Sequence, residues 1–255
     1  MGAKAAVGSV EDIAFLQQAF SGADAVYTMV PPHAAPSQWK EWIGQIGQNY
    51  AAAIAANNIS FVVNLSSLGA HLPDGCGPVS GLYKVEQALN ALPGVNIKHL
   101  RPAYFFANLL ANTGMAKQLN IIGSNFGGGE EKMVLADTSD IAAVALEELS
   151  TLSFTGHSVR YIASDERTTA EIAALIGSAI DKPSLPWVVF TDEQALGGML
   201  QAGLPEELAK NYVEMGASLR SGKMEEDYWE NHPASLGKIK LEDFAKTFAA
   251  VYNTN

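Results

Sequence analysis

The sequence is poor in cysteine and in positive charge. Its single cysteine, Cys76, cannot form an internal disulfide, which suits a reducing cytoplasm. Lys and Arg total 16 against 27 Asp and Glu, so the formal net charge is −11 at pH 7. Because such a surface repels phosphate backbones and anionic lipid, we expect neither a nucleic acid nor a membrane among the partners of this protein.

Long hydrophobic runs are missing as well. Asn, Gln, Gly or Pro interrupts every apolar stretch well before the roughly 18 residues of a membrane-spanning helix. No apolar signal-peptide core follows Met1–Lys4. The 255 residues are 48% hydrophobic and 17% charged, a composition that excludes disorder. We therefore expect a folded cytoplasmic protein made of one large domain, or of a core with a smaller appendage.

Motifs for metal-dependent hydrolysis and for acyl transfer are also absent. The histidines are scattered without the spacing of metal ligands, and no G-x-S-x-G nucleophile turn occurs. Cys76 lies in a loop rich in Gly and Pro, with no basic partner evident in the sequence, which favours a bystander thiol over a nucleophile. We expect no metal ion.

Strand and helix patterns alternate through the first hundred residues. The predicted strands are residues 3–8, 23–30, 60–65 and 96–100. The first intervening helix is predicted to open at Ser9, with a capping-box spacing to Asp12, and the longest runs from about Ser37 to Asn57. Strands that are apolar on both faces and separated by helices predict a parallel sheet covered on both sides, so the predicted fold class is α/β.

The regular alternation ends after Arg101-Pro102. Residues 104–116 are predicted to be helical, and residues 123–131 form a glycine-rich loop between two short strands. From Asp165 onward the chain is predicted to be mostly helical. Because the strand-rich and helix-rich parts interleave along the chain, we expect two lobes rather than two consecutive domains.

The predicted lobes differ in size and content. The larger is a sheet domain of residues 1–104 and 137–163, and the smaller is a mostly helical substrate lobe of residues 105–136 and 164–255. The cleft between them is the expected site of a small-molecule ligand.

The glycine-rich phosphate turn of a dinucleotide-binding sheet, G-x-G-x-x-G between a first strand and a first helix, is not found. Gly44 and Gly47 lie within the long helix, where they more simply permit close packing. Gly127–Gly129 follows no predicted buried parallel strand and opens no helix, which favours a loop over the cleft.

Five blocks of sequence nevertheless resemble one known family, in the same order. They are Gly2–Asp12, Phe20–Tyr27, Leu65–Ala70, Leu100–Asn108 and Asp137–Ala142. Together they are similar to the NmrA-like proteins, an atypical group of short-chain dehydrogenase/reductases, over most of the chain to about residue 180. Each block alone is a weak signal, whereas their order and spacing are fairly specific.

The resemblance implies a Rossmann-like, doubly wound parallel sheet that binds NADP or NAD, with NADP slightly preferred. It also implies that the first βαβ unit, which carries the phosphate cradle, is missing, so that the sheet is N-terminally truncated. Relatives include NAD(P)H-dependent quinone reductases and redox sensors that bind the dinucleotide without turnover. Three functions stay open: reduction of a quinone-like or other small carbonyl acceptor, sensing, and a fragment that binds no cofactor. Oligomerisation also stays open.

The resemblance places the cofactor against four short segments. They are Met29-Val30-Pro31-Pro32, Leu65-Ser66-Ser67, Lys84 and Pro102-Ala103-Tyr104-Phe105. The last of these would flank the nicotinamide. An ordinary strand-to-helix turn accounts equally well for the first segment, and packing between lobes accounts equally well for the last.

The candidates for catalysis are Ser67, Tyr83 and Lys84. In short-chain dehydrogenases a Ser at this position hydrogen-bonds the substrate carbonyl, and the Tyr of a Tyr-x-x-x-Lys motif donates the proton. Here Tyr83 and Lys84 are adjacent, and Gln87 stands four residues after Tyr83. Adjacent residues on a helix point about 100° apart, so they cannot act as that pair. A solvated lysine is the alternative for Lys84, and a helix-surface or structural carboxylate for Glu86.

Overall fold

A computed structural model describes residues 2–32 and 37–254. His33, which the sequence suggests is solvated, lies outside the described residues. The strands are β1 Ala25–Met29, β2 Phe61–Leu65, β3 Asn96–Pro102, β4 Tyr104–Phe105, β5 Ile122–Ser124, β6 Lys132–Ala136, β7 His157–Ile162, β8 Asp165–Thr168 and β9 Trp187–Val189. The helices are α1 Ile13–Ala19, α2 Trp39–Ala56, α3 Val79–Asn90, α4 Thr113–Gln118, α5 Thr138–Thr151, α6 Thr169–Ala179, α7 Asp192–Gln201, α8 Glu206–Arg220, α9 Glu226–Glu230 and α10 Leu241–Thr254.

The main sheet has four parallel strands in the order β1-β2-β3-β7. Successive residues of β2 point to opposite faces. Val62 packs in one core cluster with Ile54 of α2 and Leu89 of α3, and Val63 belongs to a second cluster that includes Ile141 of α5. Helices therefore cover both faces, which confirms the predicted α/β fold with a Rossmann-like parallel sheet.

Helices do not cover both faces of the sheet at β1, which is an edge strand in the described part of the chain. Tyr27 and Met29 pair in register with Val63 and Leu65, so they share the face that α5 covers farther along the sheet. Their exposed fractions are 39% and 42%. The expectation that every strand is covered on both sides is therefore wrong for β1.

The predicted first strand, residues 3–8, is also wrong. These residues form no strand and lie exposed, with 96% of the surface of Val7 accessible. An apolar run becomes a strand only where a neighbouring strand accepts its backbone hydrogen bonds, and no such neighbour lies beside it among the described residues.

The first helix begins three residues later than the sequence predicts. Asp12 is its N-cap, and the Asp12 carboxylate accepts hydrogen bonds from the backbone N–H groups of Ala14 and Phe15 at 2.9 and 3.1 Å. Ser9 instead accepts from the N–H of Glu11. Asp caps a helix as effectively as Ser, so either residue of the predicted box could have opened it.

The two central helices, α2 and α3, pack closely through glycine. A Cβ atom added at Gly47 would lie 2.7 Å from the Cα of Val85, and one at Gly44 would lie 3.0 Å from the Cβ of Lys84. The packing role predicted for both glycines is confirmed.

The described residues also form two smaller sheets. β4 follows β3 after one residue and pairs with β6, so Tyr104 and Phe105 are extended where the sequence predicts helix. Residues 106–112 form a 3-10 helix that leads into α4.

β5 pairs in parallel with β9, so the loop at Gly127–Gly129 does follow a short parallel strand, contrary to the sequence expectation. The division into two lobes, with boundaries at 104/105, 136/137 and 163/164, stays a prediction.

None of the helices in the described residues is long and apolar enough to cross a membrane.

Candidate functional site

The ends of β1, β2 and β3 meet at one edge of the sheet. Met29 pairs with Leu65, and Leu65 pairs with Leu100, so the residues that follow each strand lie side by side. Backbone hydrogen bonds continue past the strands, from the N–H of Ser66 to the carbonyl of Leu100 at 2.8 Å and from Leu68 to Pro102 at 2.9 Å. The structure thus brings three of the four predicted cofactor segments together. Ligands of parallel sheets bind at this edge.

The first of these segments exposes its side chains but fixes its backbone. Met29 is 42% exposed, and its carbonyl accepts a 2.6 Å hydrogen bond from the hydroxyl of Tyr50. Burial raises the pKa of Tyr50 to about 12, so this hydroxyl stays a donor. Val30 and Pro31 are half-buried and Pro32 is exposed.

The two serines after β2 differ in what holds them. Ser66 is buried, and its hydroxyl donates to a carboxylate oxygen of Glu86 at 2.5 Å. Ser67 is half-buried, and its hydroxyl donates to the carbonyl of Leu68 at 3.0 Å. If the Ser67 hydroxyl turns towards a ligand, it gives up one hydrogen bond to a backbone carbonyl, whereas Ser66 would give up its bond to the Glu86 carboxylate. Ser67 is therefore the better hydrogen-bond donor to a ligand.

A buried charge network lies behind Ser66. Arg101 donates to both oxygens of Glu86, at 2.7 and 3.0 Å, and to Asp227 at 2.9 Å and the Tyr161 hydroxyl at 3.0 Å. Tyr161 also donates to Asp227. Glu86 is therefore a structural carboxylate and does not lie on a helix surface. The one sequence signal for this network is a cationic residue, Arg101, at the end of an apolar strand.

The two helix candidates, Tyr83 and Lys84, lie on α3, the helix that carries Glu86. The ammonium of Lys84 forms a 2.9 Å ion pair with Glu41 of α2, and 42% of the Lys84 side chain is exposed. Tyr83 is half-buried on α3. The structure gives Lys84 a partner on the neighbouring helix, and its predicted role towards a cofactor stays a prediction.

An aromatic wall follows β3. The Tyr104 ring contacts Phe126 edge to face at a centroid distance of 5.7 Å, and Phe126 lies 5.9 Å from Trp187. The indole N–H of Trp187 donates to the carbonyl of Phe126 at 3.0 Å, which fixes the wall. Burial, followed by the proximity of Tyr212, raises the pKa of Tyr104, so its phenol stays protonated. Sequence reasoning predicted Tyr104 but missed Phe126 and Trp187, because they lie far along the chain.

Two cavities flank the short helix α9. One, of about 620 Å³, is bounded by the glycine-rich loop, β6 and the end of α8. The other, of about 970 Å³, lies against β7, α5 and residues 231–238, and Arg101 and Tyr161 are among the residues that line it. Sequence reasoning identified neither, because their walls come from segments that lie far apart in the chain.

The last groups to consider are the single cysteine and side chains that could bind a metal ion. Cys76 is buried, its sulfur lies 3.1 Å from the hydroxyl of Ser218, and burial raises the pKa of its thiol. In residues 2–32 and 37–254, no group of three or more His, Cys, Asp or Glu side chains is placed to hold a metal ion.

The strand ends fit one half of the dinucleotide that the sequence resemblance implies. Exposed side chains beside an aromatic wall suit a flat, largely neutral ring such as nicotinamide. A diphosphate needs an open glycine turn at a helix N-terminus. Between β2 and α3, Gly69 packs against Met224, Gly77 packs against Asn211, and Gly75 follows the exposed carboxylate of Asp74. The turn between β2 and α3 therefore does not fit the diphosphate.

Comparison with known proteins gives distant relatives. No family model matches the chain. It is 26% identical over 216 residues to the NAD(P)H azoreductase of Xenophilus azovorans, a match that covers 85% of this chain and 72% of the relative.

Solved structures match more closely in shape. The NADPH-dependent quinone oxidoreductase of Escherichia coli, in complex with NADPH, aligns with a TM-score of 0.80 at 19% identity over 96% of this chain and 83% of that one. The triphenylmethane reductase of Citrobacter sp., in complex with NADP(H), aligns with a TM-score of 0.72 at 16% identity over 94% of this chain and 82% of that one. At these identities the likeness establishes the fold.

Proposed function

We propose that this chain is an NAD(P)H-dependent oxidoreductase that reduces a quinone-like or other small carbonyl acceptor by hydride transfer. The observation that supports the proposal is the meeting of three strand ends, after Met29, Leu65 and Pro102, at one edge of a parallel sheet. The resemblance to NmrA-like proteins and the names of the azoreductase and quinone reductase relatives point the same way.

In this proposal the chain binds and orients the reactants. Met29–Pro32 and Pro102–Phe105 would hold the nicotinamide and its ribose, and the dinucleotide, when bound, would supply the hydride. Tyr104 and Phe126 form an apolar wall that excludes water from the acceptor. Ser67 donates a hydrogen bond to the acceptor carbonyl. NADP is slightly preferred over NAD on the ground that the two solved structures described above hold NADPH or NADP(H).

A second candidate is a dinucleotide sensor without turnover. It is favoured by one observation: Lys84 is paired with Glu41 and adjacent to Tyr83, so the two do not form the usual proton-donating pair. A sensor would bind the dinucleotide and leave it unoxidised.

The first test follows the absorbance of NADPH at 340 nm with and without a panel of neutral quinones. Oxidation that depends on the quinone supports the reductase, and binding of NADPH without its oxidation supports the sensor. The S67A variant is expected to raise KM for the quinone and lower kcat/KM about tenfold, the loss of roughly one hydrogen bond of 1.4 kcal/mol.

The second test measures binding of the two halves of the cofactor separately. Ligand-observed NMR with reduced nicotinamide mononucleotide and, separately, with ADP asks which half the chain binds. Because the strand ends fit the nicotinamide and the turn between β2 and α3 does not fit the diphosphate, we expect saturation transfer to the nicotinamide protons and none to the adenine protons. Transfer to neither ligand, together with no oxidation of NADPH, would favour the third alternative, a chain that binds no cofactor.

A further inference from the structure

The smaller of the two cavities beside α9 is separate from the edge where the strands meet. Its volume, about 620 Å³, lies in the range of sites that enclose a small molecule. None of the residues set against the nicotinamide or the acceptor carbonyl lines it, although Phe126, which does, contacts the Tyr104 ring. A molecule held in this cavity is therefore a second ligand, whose binding does not depend on the cofactor.

Aromatic and aliphatic side chains form most of the cavity wall. They are Phe126, Met133, Leu219 and Trp229. The Trp229 ring is 42% exposed, and His232 stacks on it at a centroid distance of 5.9 Å and an interplanar angle of 15°. Such a wall suits a flat aromatic ligand, and the face of an indole ring also attracts cations.

One buried carboxyl group interrupts this wall. Glu225 is 7% exposed, and its Oε1 atom accepts the backbone N–H of Val134 at 3.1 Å. Its Oε2 atom has no hydrogen-bond partner among the described residues and is not sealed from solvent, so it opens towards the cavity. A buried carboxylate with one hydrogen bond is costly unless a further donor or a cation completes its bonding.

The described residues supply no cation for that purpose. None of their cationic side chains forms an ion pair with Glu225. The charged neighbour inside the protein is Glu166 of β8, which accepts from the Tyr228 hydroxyl at 2.7 Å and lies 2.6 Å from His232. Burial raises the pKa of Glu225 to about 7, and the negative charge of Glu166 adds to the shift against the opposing bond from Val134.

The rim of the cavity is acidic as well. Arg220, at the end of α8, is already paired with Asp192 at 2.8 Å. The loop before β6 and the first residue of β6 contribute three exposed charged groups, Glu130, Glu131 and Lys132. Carboxylates therefore outnumber unpaired cations at the rim, and the rim attracts a cationic ligand and repels an anionic one.

We propose that this cavity is a binding site for a flat aromatic monocation that carries N–H donors, an arylamidinium or an arylammonium, with Glu225 as its counter-ion. The ring of the ligand lies against Phe126 and Trp229. One of its N–H groups donates to Oε2 of Glu225 and so completes the bonding of the buried carboxylate. The site is independent of the proposed oxidoreductase function, and neither a cofactor nor a reaction enters its test.

The experiment compares flat probes of one size and different charge. Saturation-transfer NMR titrations of the full chain at pH 8 give the Kd of benzamidinium, of neutral benzamide and of anionic benzoate. We expect benzamidinium to bind about tenfold more tightly than benzamide, the worth of a charged hydrogen bond, and benzoate to bind most weakly. Phenyltrimethylammonium, a cation without N–H donors, should bind more weakly than benzamidinium.

Two variants locate the site. Glu225→Gln keeps an oxygen that accepts from Val134 and loses the charge, so the preference for benzamidinium over benzamide should disappear. Glu226→Gln removes the same charge from the exposed next residue and should change either Kd by less than about twofold.

The pH dependence gives an independent readout. Because benzamidinium stays cationic from pH 6 to 8 and Glu225 loses its proton in this range, the wild type should bind it about tenfold more tightly at pH 8 than at pH 6. Glu225→Gln should bind it equally at both values. Any contribution of His232 and Glu166 is present in both proteins and cancels in the comparison.

Four results would overturn the proposal. They are no binding of benzamidinium, equal wild-type affinity for benzamidinium and benzamide, a preference that persists in Glu225→Gln, and an equal loss of preference in Glu226→Gln. If Glu225→Gln does not fold, the wild type alone decides, because an affinity for benzamidinium that is the same at pH 6 and pH 8 rejects Glu225 as the counter-ion.

Discussion

Glu86 and Arg101 form a bidentate ion pair inside the protein, with both side chains less than a tenth exposed. The carboxylate lies on α3 and the guanidinium at the end of β3, so the pair ties a helix to the sheet next to the candidate site. Ser66 donates to the same carboxylate, which links the pair to the loop after β2.

Removing Glu86 should destabilise the protein strongly. The variant E86Q leaves the Arg101 charge buried with a weaker partner, and we expect a loss of about 3 kcal/mol in the free energy of unfolding. The comparison variant is E147Q, which breaks the surface pair of Glu147 with Arg160, where Glu147 is 57% exposed. Its loss should be below about 1 kcal/mol. Urea unfolding of both variants measures the difference, and equal losses would contradict the assigned role of the pair.

The contact between α2 and α3 predicts a cost for any side chain at Gly47. In G47A the new methyl group meets the Cα of Val85, so the helices must separate, and we expect a loss of about 1–3 kcal/mol. Gly197 in α7 has no atom within 4 Å of such a methyl group. G197A should therefore raise stability by about 0.5–1 kcal/mol, the gain in helix propensity. Thermal unfolding of the two variants should shift in opposite directions, and a stabilised G47A would refute the close packing.

Acid should destabilise the protein through His99. Its Nδ1 atom lies 3.1 Å from the amide nitrogen of Asn64 and its Nε2 atom 3.0 Å from the amide oxygen of Asn90, an arrangement that fits a neutral ring. Burial lowers the pKa of His99 to about 4. Between pH 6.5 and 4 the unfolded chain binds a proton that the folded chain does not, so stability falls as the pH falls. The loss attributable to His99 is about 3 kcal/mol.

The measurement compares the pH dependence of unfolding in wild type and H99Q. H99Q is expected to be less stable at pH 7.5, where the neutral ring is well packed, and to lose less than wild type on acidification to pH 4. Parallel curves for the two proteins would show that His99 does not cause the acid sensitivity.

Glu225 should give the opposite dependence. Its pKa is raised to about 7, so between pH 4.5 and 7 the folded chain holds a proton that the unfolded chain has lost. The stability from this group is complete below pH 4.5 and is lost as the pH rises through 7, by about 3 kcal/mol. E225Q stays neutral throughout. Chemical unfolding at pH 5 and pH 8 should show the variant gaining on wild type at the higher pH, and an identical change in both proteins would exclude the shifted carboxyl.

Much of the fold could be predicted from local pattern. The apolar runs at β1, β2 and β3 and the long helix between β1 and β2 are encoded by residues close together in the chain, and the rule that parallel strands need crossover helices then sets the topology. The packing role of Gly44 and Gly47 could be predicted too, because glycine weakens a helix and is expected inside one where a side chain would not fit. The strand predicted at residues 3–8 failed because a strand depends on a neighbour and not on its own pattern alone.

The candidate site was predicted in part. The segments after β1, β2 and β3 could be named because the ends of parallel strands share an edge whatever the rest of the chain does. Phe126, Trp187 and Glu225 could not be named, since their places beside Tyr104 and Val134 come from contacts between segments far apart in sequence. The burial of Glu86 could not be predicted for the same reason, because the neighbouring sequence does not distinguish a buried carboxylate on a helix from an exposed one.

Hydrophobic periodicity acts over neighbouring residues, so the α/β fold with parallel strands follows from the order of amino acids alone. Which charges are buried, which serine a carboxylate holds and which acid lines a cavity depend on long-range packing. Burial and pKa depend on every atom within a few ångströms, and those atoms come from all parts of the chain.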